Sequence, residues 1–240
     1  MRISGATVLI TGASSGIGAA TARAVAAAGG RMLLTGRDGD RLAAVAAETG
    51  GVAFVADVTG PIEVAGPVDV LVNNAGVGWA GPFTEMAEAD IDRLIAVNLT
   101  ASIRLTRALV PGMVERGRGH VVFVASIAGA TGVRNEAVYS ATKAGLIYFA
   151  DSLRYELASS GVGVSTVLPG VIDTPFFDRR GTPYHRRRPA PIPAERVART
   201  IVTAIERDRP ELYQPAWMRV PARLRGGAPV VFRGLARRFG

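Results

Sequence analysis

The sequence predicts one doubly wound α/β domain, a mostly parallel seven-stranded sheet with helices on both faces. Three observations carry that prediction. Runs rich in Val, Leu and Ile recur at residues 6–10, 31–35, 52–55, 68–72, 120–125 and 163–168, with a shorter one at 211–213. Most are continuously apolar, as strands buried on both faces are, and helical patterns lie between them, as parallel crossovers require. Finally, 240 residues at 48% hydrophobic content suit one domain with a sizeable core.

The helices follow in order. Residues 17–28 are alanine-rich and close on Gly29-Gly30, a good C-terminal pair. Residues 40–48 form a second helix. Residues 88–115 form a long one that Pro111-Gly112 should interrupt near its end. Residues 137–159 form another, closed by Gly161, and residues 193–208 open with Pro and Glu, as first turns do. The connection 57–67 breaks the alternation. It holds Gly60, Pro61, Gly66 and Pro67 and is short for the helix of a usual parallel crossover. Eleven extended residues span roughly 35 Å. A loop or single turn is expected there, leaving one flank of the sheet thinly covered.

Composition narrows the chemistry. Without cysteine there is no disulfide, thiolate nucleophile or thiolate metal site. Two histidines, His120 and His185, cannot build a histidine-rich metal centre, and no metal is expected. Hydroxyls, amides, carboxylates and basic side chains must carry catalysis. No apolar segment precedes the first glycine motif, and no uninterrupted apolar run approaches the ~20 residues of a membrane span. The expectation is a cytoplasmic enzyme.

The net charge of +8 is uneven. Residues 179–240 hold 15 Arg against four acids, a net of +11, and residues 1–178 carry −3. Of 28 basic residues, Lys143 is the single lysine. A chain that places Arg elsewhere keeps this ammonium for chemistry that a guanidinium fork does not perform.

Thr11-Gly12-Ala13-Ser14-Ser15-Gly16-Ile17-Gly18 follows the first strand and opens the first helix. Glycines there admit a pyrophosphate to the backbone, and the helix N-terminus favours its charge. Asn73-Asn74-Ala75-Gly76 ends the fourth strand, Asn98 lies in the long helix, and Ser126 stands just past the fifth strand. Tyr139-Ser140-Ala141-Thr142-Lys143 gives YxxxK, and Pro169-Gly170 ends the sixth strand, with Thr174 beyond. Tyr139 and Lys143, four apart, share one helix face. A fixed ammonium favours the phenolate, so the phenol is expected below its ordinary pKa of about 10.

This TGxxxGxG spacing, with its ordered companions over residues 5 to about 175, resembles the short-chain dehydrogenase/reductase family. The resemblance implies a Rossmann fold and an NAD(P)(H)-dependent oxidoreductase that interconverts a ketone and a secondary alcohol by hydride transfer. It implies catalytic roles for four residues. Tyr139 gives a proton to the carbonyl oxygen, and Ser126 hydrogen-bonds that oxygen. Lys143 also binds the nicotinamide ribose, and Asn98 holds a water relaying protons to the lysine. Read alone, Ser126 is an ordinary cap and Asn98 a mid-helix residue bonding to backbone. The resemblance places Gly12, Ser14, Ser15, Gly16, Ile17, Gly18, Asn74, Ala75, Gly76, Pro169, Gly170 and Thr174 around the cofactor. It puts Asn73 near the adenine ribose, and Asp57 with Val58 at the adenine amino group. Asp57 can equally serve as a turn residue. It also implies a homodimer or homotetramer paired through the two long helices.

The second strand ends Leu34-Thr35-Gly36-Arg37, without the acid that would hold a ribose 2′-hydroxyl. Arg37 offers its fork to a 2′-phosphate. The expectation is NADP(H), with NAD(H) kept open by Asp38. Residues 171–193 should cover the substrate, with Phe176, Phe177 and Tyr184 suiting an apolar one. His185 and Arg186-Arg187-Arg188 either meet an anionic group or solvate a loop. Residues 76–81, with Trp79, should share in specificity.

The tail 214–240 carries Arg219, Arg223, Arg225, Arg233, Arg237 and Arg238 with no acid. Residues 231, 235 and 239 share a helical face, and a basic amphipathic helix is a membrane-surface signature. Packing on the body or on a second subunit is the alternative. No recognition motif accompanies the charge, so nucleic acid is not expected. A lipid-like substrate would fit surface association, and a cofactor-binding regulator without turnover is the competing functional class.

Overall fold

The computed structural model describes residues 1–64, 66–184 and 188–239, with the backbone alone for 235–239. The sheet contains β1 (Thr7–Thr11), β2 (Arg31–Gly36), β3 (Val52–Val55), β4 (Val70–Asn73), β5 (Gly119–Val124), β6 (Val162–Pro169) and β7 (Glu211–Gln214). All pairings are parallel, in the order β3-β2-β1-β4-β5-β6-β7. A two-residue ribbon pairs Ile172–Asp173 with Ile192–Pro193. The helices are α1 (Gly16–Ala27), α2 (Gly39–Thr49), α3 (Glu88–Ile95), α4 (Ala101–Glu115), α5 (Ile127–Thr131), α6 (Ala137–Glu156), α7 (Phe176–Arg179), α8 (Ala194–Arg207), α9 (Arg219–Gly227) and α10 (Pro229–Phe239).

Strand residues divide between two cores with period two. Val8, Ile10, Val70, Val72, Val122 and Val124 pack with residues of α1, α2 and α8. Their neighbours Leu9, Leu71, Val121 and Phe123 pack on the other face with Leu105, Met113, Leu146 and Ala150. Both faces are therefore dry, which is why the strands read as unbroken apolar runs.

Pro111 does not interrupt its helix, since α4 runs through it to Glu115. Its ring lies on the exposed side, where a missing N–H donor costs least. The irregularity comes earlier, as a π-helical turn at Ala96–Thr100 that carries Asn98. Such widened turns re-aim side chains into sites. Among the described residues of 57–67 no helix forms, and Ile62 and Val64 tuck against the second core instead. Beyond β7, a 3₁₀ turn (Ala216–Met218) leads into α9, which packs on α5, and α10 packs on α9.

Candidate active site

Strand order reverses between β1 and β4, and such switch points open a crevice at the carboxyl ends of the strands. Thr11 and Asn74 tie the two strand ends together. Thr11 Oγ1 accepts from the N–H groups of Asn74 and Ala75, each at 3.0 Å, and Asn74 Nδ2 donates to Thr11 O at 2.9 Å. Gly12 takes φ +65°, and a Cβ there would stand 2.9 Å from Ala75 Cα. A Cβ on Gly18 would lie 2.2 Å from Gly12 O. Gly18 thus sits behind the loop, off the cavity wall. Its smallness seats α1 against the turn that carries the cavity floor.

One cavity of about 930 Å³ runs across this crevice. Gly12, Ser14, Ser15, Gly16 and Ile17 form its floor, with Asn74, Ala75 and Gly76 on one side and Pro169, Gly170 and Thr174 on the other. Ser15 caps α1 in an extended conformation without spending its hydroxyl on the helix. The first turn of α1 thus offers its amides to an anion. At one end of the cavity lie Arg37, Arg41, Asp57 and Val58. Asp57 Oδ1 accepts from Thr59 N at 2.9 Å and Thr59 Oγ1 at 2.7 Å. These two bonds, with a smaller effect from Arg37, hold its carboxyl below the ordinary range. Asp38 caps α2, accepting from Arg41 N at 3.1 Å, and its second oxygen lies 3.3 Å from Arg41 Nε. A glycine floor, free helix amides and paired guanidinium groups fit a phosphorylated dinucleotide.

Ser126, Tyr139 and Lys143 meet at the other end, all buried. Ser126 stands two residues past β5 and caps α5, its Oγ accepting from Ala128 N at 3.1 Å. α6 carries Tyr139 and Lys143, and Lys143 Nζ lies 5.9 Å from the Tyr139 ring centre while donating to Val124 O at 3.0 Å. Burial pushes the Tyr139 phenol well above its ordinary value. The hydrogen bond with Ser126 opposes this, Glu136 adds to it and Arg180 offsets part. Burial likewise brings Lys143 down to about 8. The direction is opposite to the lowering expected from the ammonium, because a dry site disfavours both charges and burial is the largest effect on the phenol.

Asn98 is fully buried and off the cavity wall. Its Oδ1 accepts from Val77 N at 2.8 Å, and its Nδ2 donates to Val77 O at 2.9 Å and Thr142 Oγ1 at 3.3 Å. The backbone it binds is that of the loop after β4, and a Cβ on Gly76 would stand 3.3 Å from its Oδ1 and 3.5 Å from Lys143 Nζ. Asn73 turns to the opposite face, where Nδ2 donates to Thr106 Oγ1 at 3.1 Å. Neighbouring strand residues alternate faces, so only Asn74 reaches the cavity and the adenine-ribose role expected for Asn73 is not available to it.

Phe176, Phe177 and Tyr184 line the cavity near Tyr139, and the Phe176 ring centre lies 5.6 Å from that of Tyr139. Trp79 packs beneath, in the cluster of Leu94, Ala128 and Tyr139, rather than on the wall. His185, Arg186 and Arg187 lie outside the described residues. Sequence reading missed several neighbours. Arg180 pairs with Glu136, both largely buried, and its guanidinium lies 4.7 Å from the Phe177 ring centre. Arg179 Nη1 donates to Ser15 Oγ at 3.2 Å, joining α7 to the glycine loop. Met218, at the root of the tail, lines the cavity beside Gly170. Arg41 had a signal in the sequence, one helical turn beyond Arg37. The others join segments far apart in the chain and leave no local pattern.

Comparison with known proteins agrees with this geometry. The model of the short chain dehydrogenase family matches residues 6–184. The ketoacyl reductase HetN of Nostoc sp. is 41% identical over 185 residues, covering 71% of this chain and 64% of that protein. A short-chain dehydrogenase from Sphingobium yanoikuyae, solved in complex with NADPH, superposes with a TM-score of 0.84 at 32% identity, covering 98% and 96% of the two chains. One from Burkholderia phymatum, solved in complex with NAD, gives 0.85 at 25% identity and 94% of each.

Proposed function

Because the chain belongs to the short-chain dehydrogenase/reductase family, we propose that it interconverts a ketone and a secondary alcohol on an apolar or lipid-like substrate, with NADP(H) preferred over NAD(H). One observation carries the reading: Ser126, Tyr139 and Lys143 converge, buried, at one end of the cavity whose other end holds the glycine loop and Arg37.

The glycine loop, Asn74 to Gly76 and Thr174 would hold the cofactor, and the reduced nicotinamide would supply the hydride. The chain supplies the proton. Burial keeps Tyr139 a neutral phenol, with a proton to give to a carbonyl oxygen. Ser126, hydrogen-bonded to Tyr139, is the second group for that oxygen. Lys143 holds a charge at neutral pH beside the phenol and can favour its ionisation as the proton leaves. Asn98 positions the loop after β4, and thereby Gly76 on the cavity wall.

Arg37 and Arg41 support NADP(H), since both line the far end and one Asp38 oxygen is spent on α2. Phe176, Phe177, Val133 and Met218 give an apolar substrate wall, and the resemblance to a ketoacyl reductase supports a carbonyl substrate. Assembly as a homodimer or homotetramer fits the exposed Phe83, Ile95, Tyr148 and Tyr155 on and beside the long helices.

The test is oxidation of NADPH and NADH against a panel of ketones, including steroids and 3-oxoacyl thioesters, beside Tyr139→Phe. Turnover with NADPH that falls about 10³-fold in the variant, while cofactor binding persists, supports the reading. Cofactor binding with no turnover on any ketone overturns it in favour of a regulator.

A further inference from the structure

We propose that residues 215–239 form an arm that docks the protein on an anionic lipid membrane. Two features of α9, α10 and the 3₁₀ turn ahead of them carry this. The first is unneutralised charge. The arm holds six arginines and no acid. Arg223 lies near Glu211 at the base, but among the described residues no carboxylate stands within 4.0 Å of Arg219, Arg225 or Arg233. The second is apolar surface interleaved with that charge. Trp217, Val220, Val230 and Val231 are 54%, 66%, 74% and 57% exposed.

Scattered exposed apolar residues are ordinary on a protein surface. Four of them within fifteen residues, among arginines lacking carboxylate partners, are not. An interfacial helix needs this combination, with apolar side chains entering the acyl boundary and guanidinium groups meeting anionic headgroups. The inner side of the arm is already taken, since α9 packs on α5 and Met218 is buried beside Gly170. Charge complementarity selects the occupant. A second copy is itself cationic, at +8 overall, and its residues 1–178 carry only −3 against the six arginines of the arm, whereas an anionic bilayer presents a dense negative plane.

The arm begins at the wall of the cavity, because Met218 lines it. Docking would therefore hold the substrate chamber beside the membrane. Docking itself does not rest on the proposed reaction, and its test needs no turnover.

The full chain is incubated at 0.1 M salt with phosphatidylcholine vesicles, with and without phosphatidylglycerol, and pelleted. Trp79→Phe leaves Trp217 as the only tryptophan, so its emission reports insertion. The expected result is binding at least tenfold tighter to the phosphatidylglycerol vesicles, with a blue shift of Trp217. Arg225→Glu/Arg233→Glu should abolish pelleting with unchanged NADPH binding and melting temperature, and Val230→Asp/Val231→Asp should remove most of it. Equal binding to both vesicle types, or to neither, overturns the proposal. So does a loss of solution mass in the Glu variant without vesicle binding, which would make a second copy the occupant, and so does retention on duplex DNA without retention on vesicles.

Discussion

Arg180 and Glu136 form a largely buried ion pair that ties the end of α7 to the residue just ahead of α6. Arg180 Nε also donates to Thr182 O at 2.9 Å, and Thr182 Oγ1 to Ala80 O at 3.1 Å. The substrate segment is thus fastened at both sides of the chamber.

Arg180→Met leaves the Glu136 carboxylate buried beside Tyr139, without the charge that offsets its effect on the phenol. The expected outcome is a fall in kcat/KM of about tenfold, roughly 1.4 kcal/mol, together with faster proteolysis within 176–184. Arg180→Met/Glu136→Gln should recover part of both, measured by steady-state kinetics and limited proteolysis.

Lys143 is kept charged at a cost in stability. Its pKa falls from the ordinary 10.5 to about 8 by burial, so at neutral pH the folded chain carries a desolvated ammonium. Lys143→Met should abolish turnover and yet stabilise the fold by about 1–2 kcal/mol, once the lost bond to Val124 O is set against the relief. Denaturant unfolding at pH 7 checks it, and a variant less stable than the parent would contradict it.

His120 sets an acid limit. It is fully buried, with Nε2 at 2.8 Å from Ser165 Oγ, which itself donates to Arg209 O at 2.6 Å. Burial lowers its pKa from 6.5 to about 4. Between those values the unfolded chain binds the proton and the folded chain does not, so stability is full above about 6.5 and is lost as the pH falls toward 4. The loss should approach roughly 3 kcal/mol. A His120→Gln variant should show a flatter dependence in unfolding measured from pH 7 to 4.

Arg37 and Arg41 share the cavity end opposite Tyr139. Arg37→Ala/Arg41→Ala should weaken NADPH binding by about 100-fold, two charge-assisted contacts of about 1.5 kcal/mol each, and leave NADH within about threefold. Fluorescence titration with both cofactors checks this. Equal losses for both would remove the case for a 2′-phosphate site.

The sheet was legible because both faces of its strands are buried and the apolar runs show it directly. The four-residue spacing on one helix face put Tyr139 beside Lys143, whereas Ser126, an ordinary cap when read alone, was singled out by the family resemblance; the fold brings all three to one cavity end. Arg179 with Ser15, and Arg180 with Glu136, were not, since each joins segments that only the closed chain brings together. The direction of the Tyr139 shift was hidden for a related reason. Sequence gives the distance to Lys143 along a helix, but the dryness of the surroundings comes from α7 and the loop after β4. Pro111 read as a break because nothing in the sequence put its ring on the solvent side of α4.

The crossover at 57–67, with no helix among its described residues, has a consequence for local opening. β3 has a single partner, β2, and Val52 and Val55 stand 61% and 63% exposed. Few buried contacts resist its separation, so its amides should exchange with solvent sooner than those of β1 or β4. Asp57 and Val58 follow directly from that strand and wall one end of the cavity. A nucleotide lodged there would close the fraying edge by mass action, so that saturation with cofactor slows exchange at residues 52–58 more than anywhere else in the sheet. The weakest margin of the domain would then be completed by its ligand.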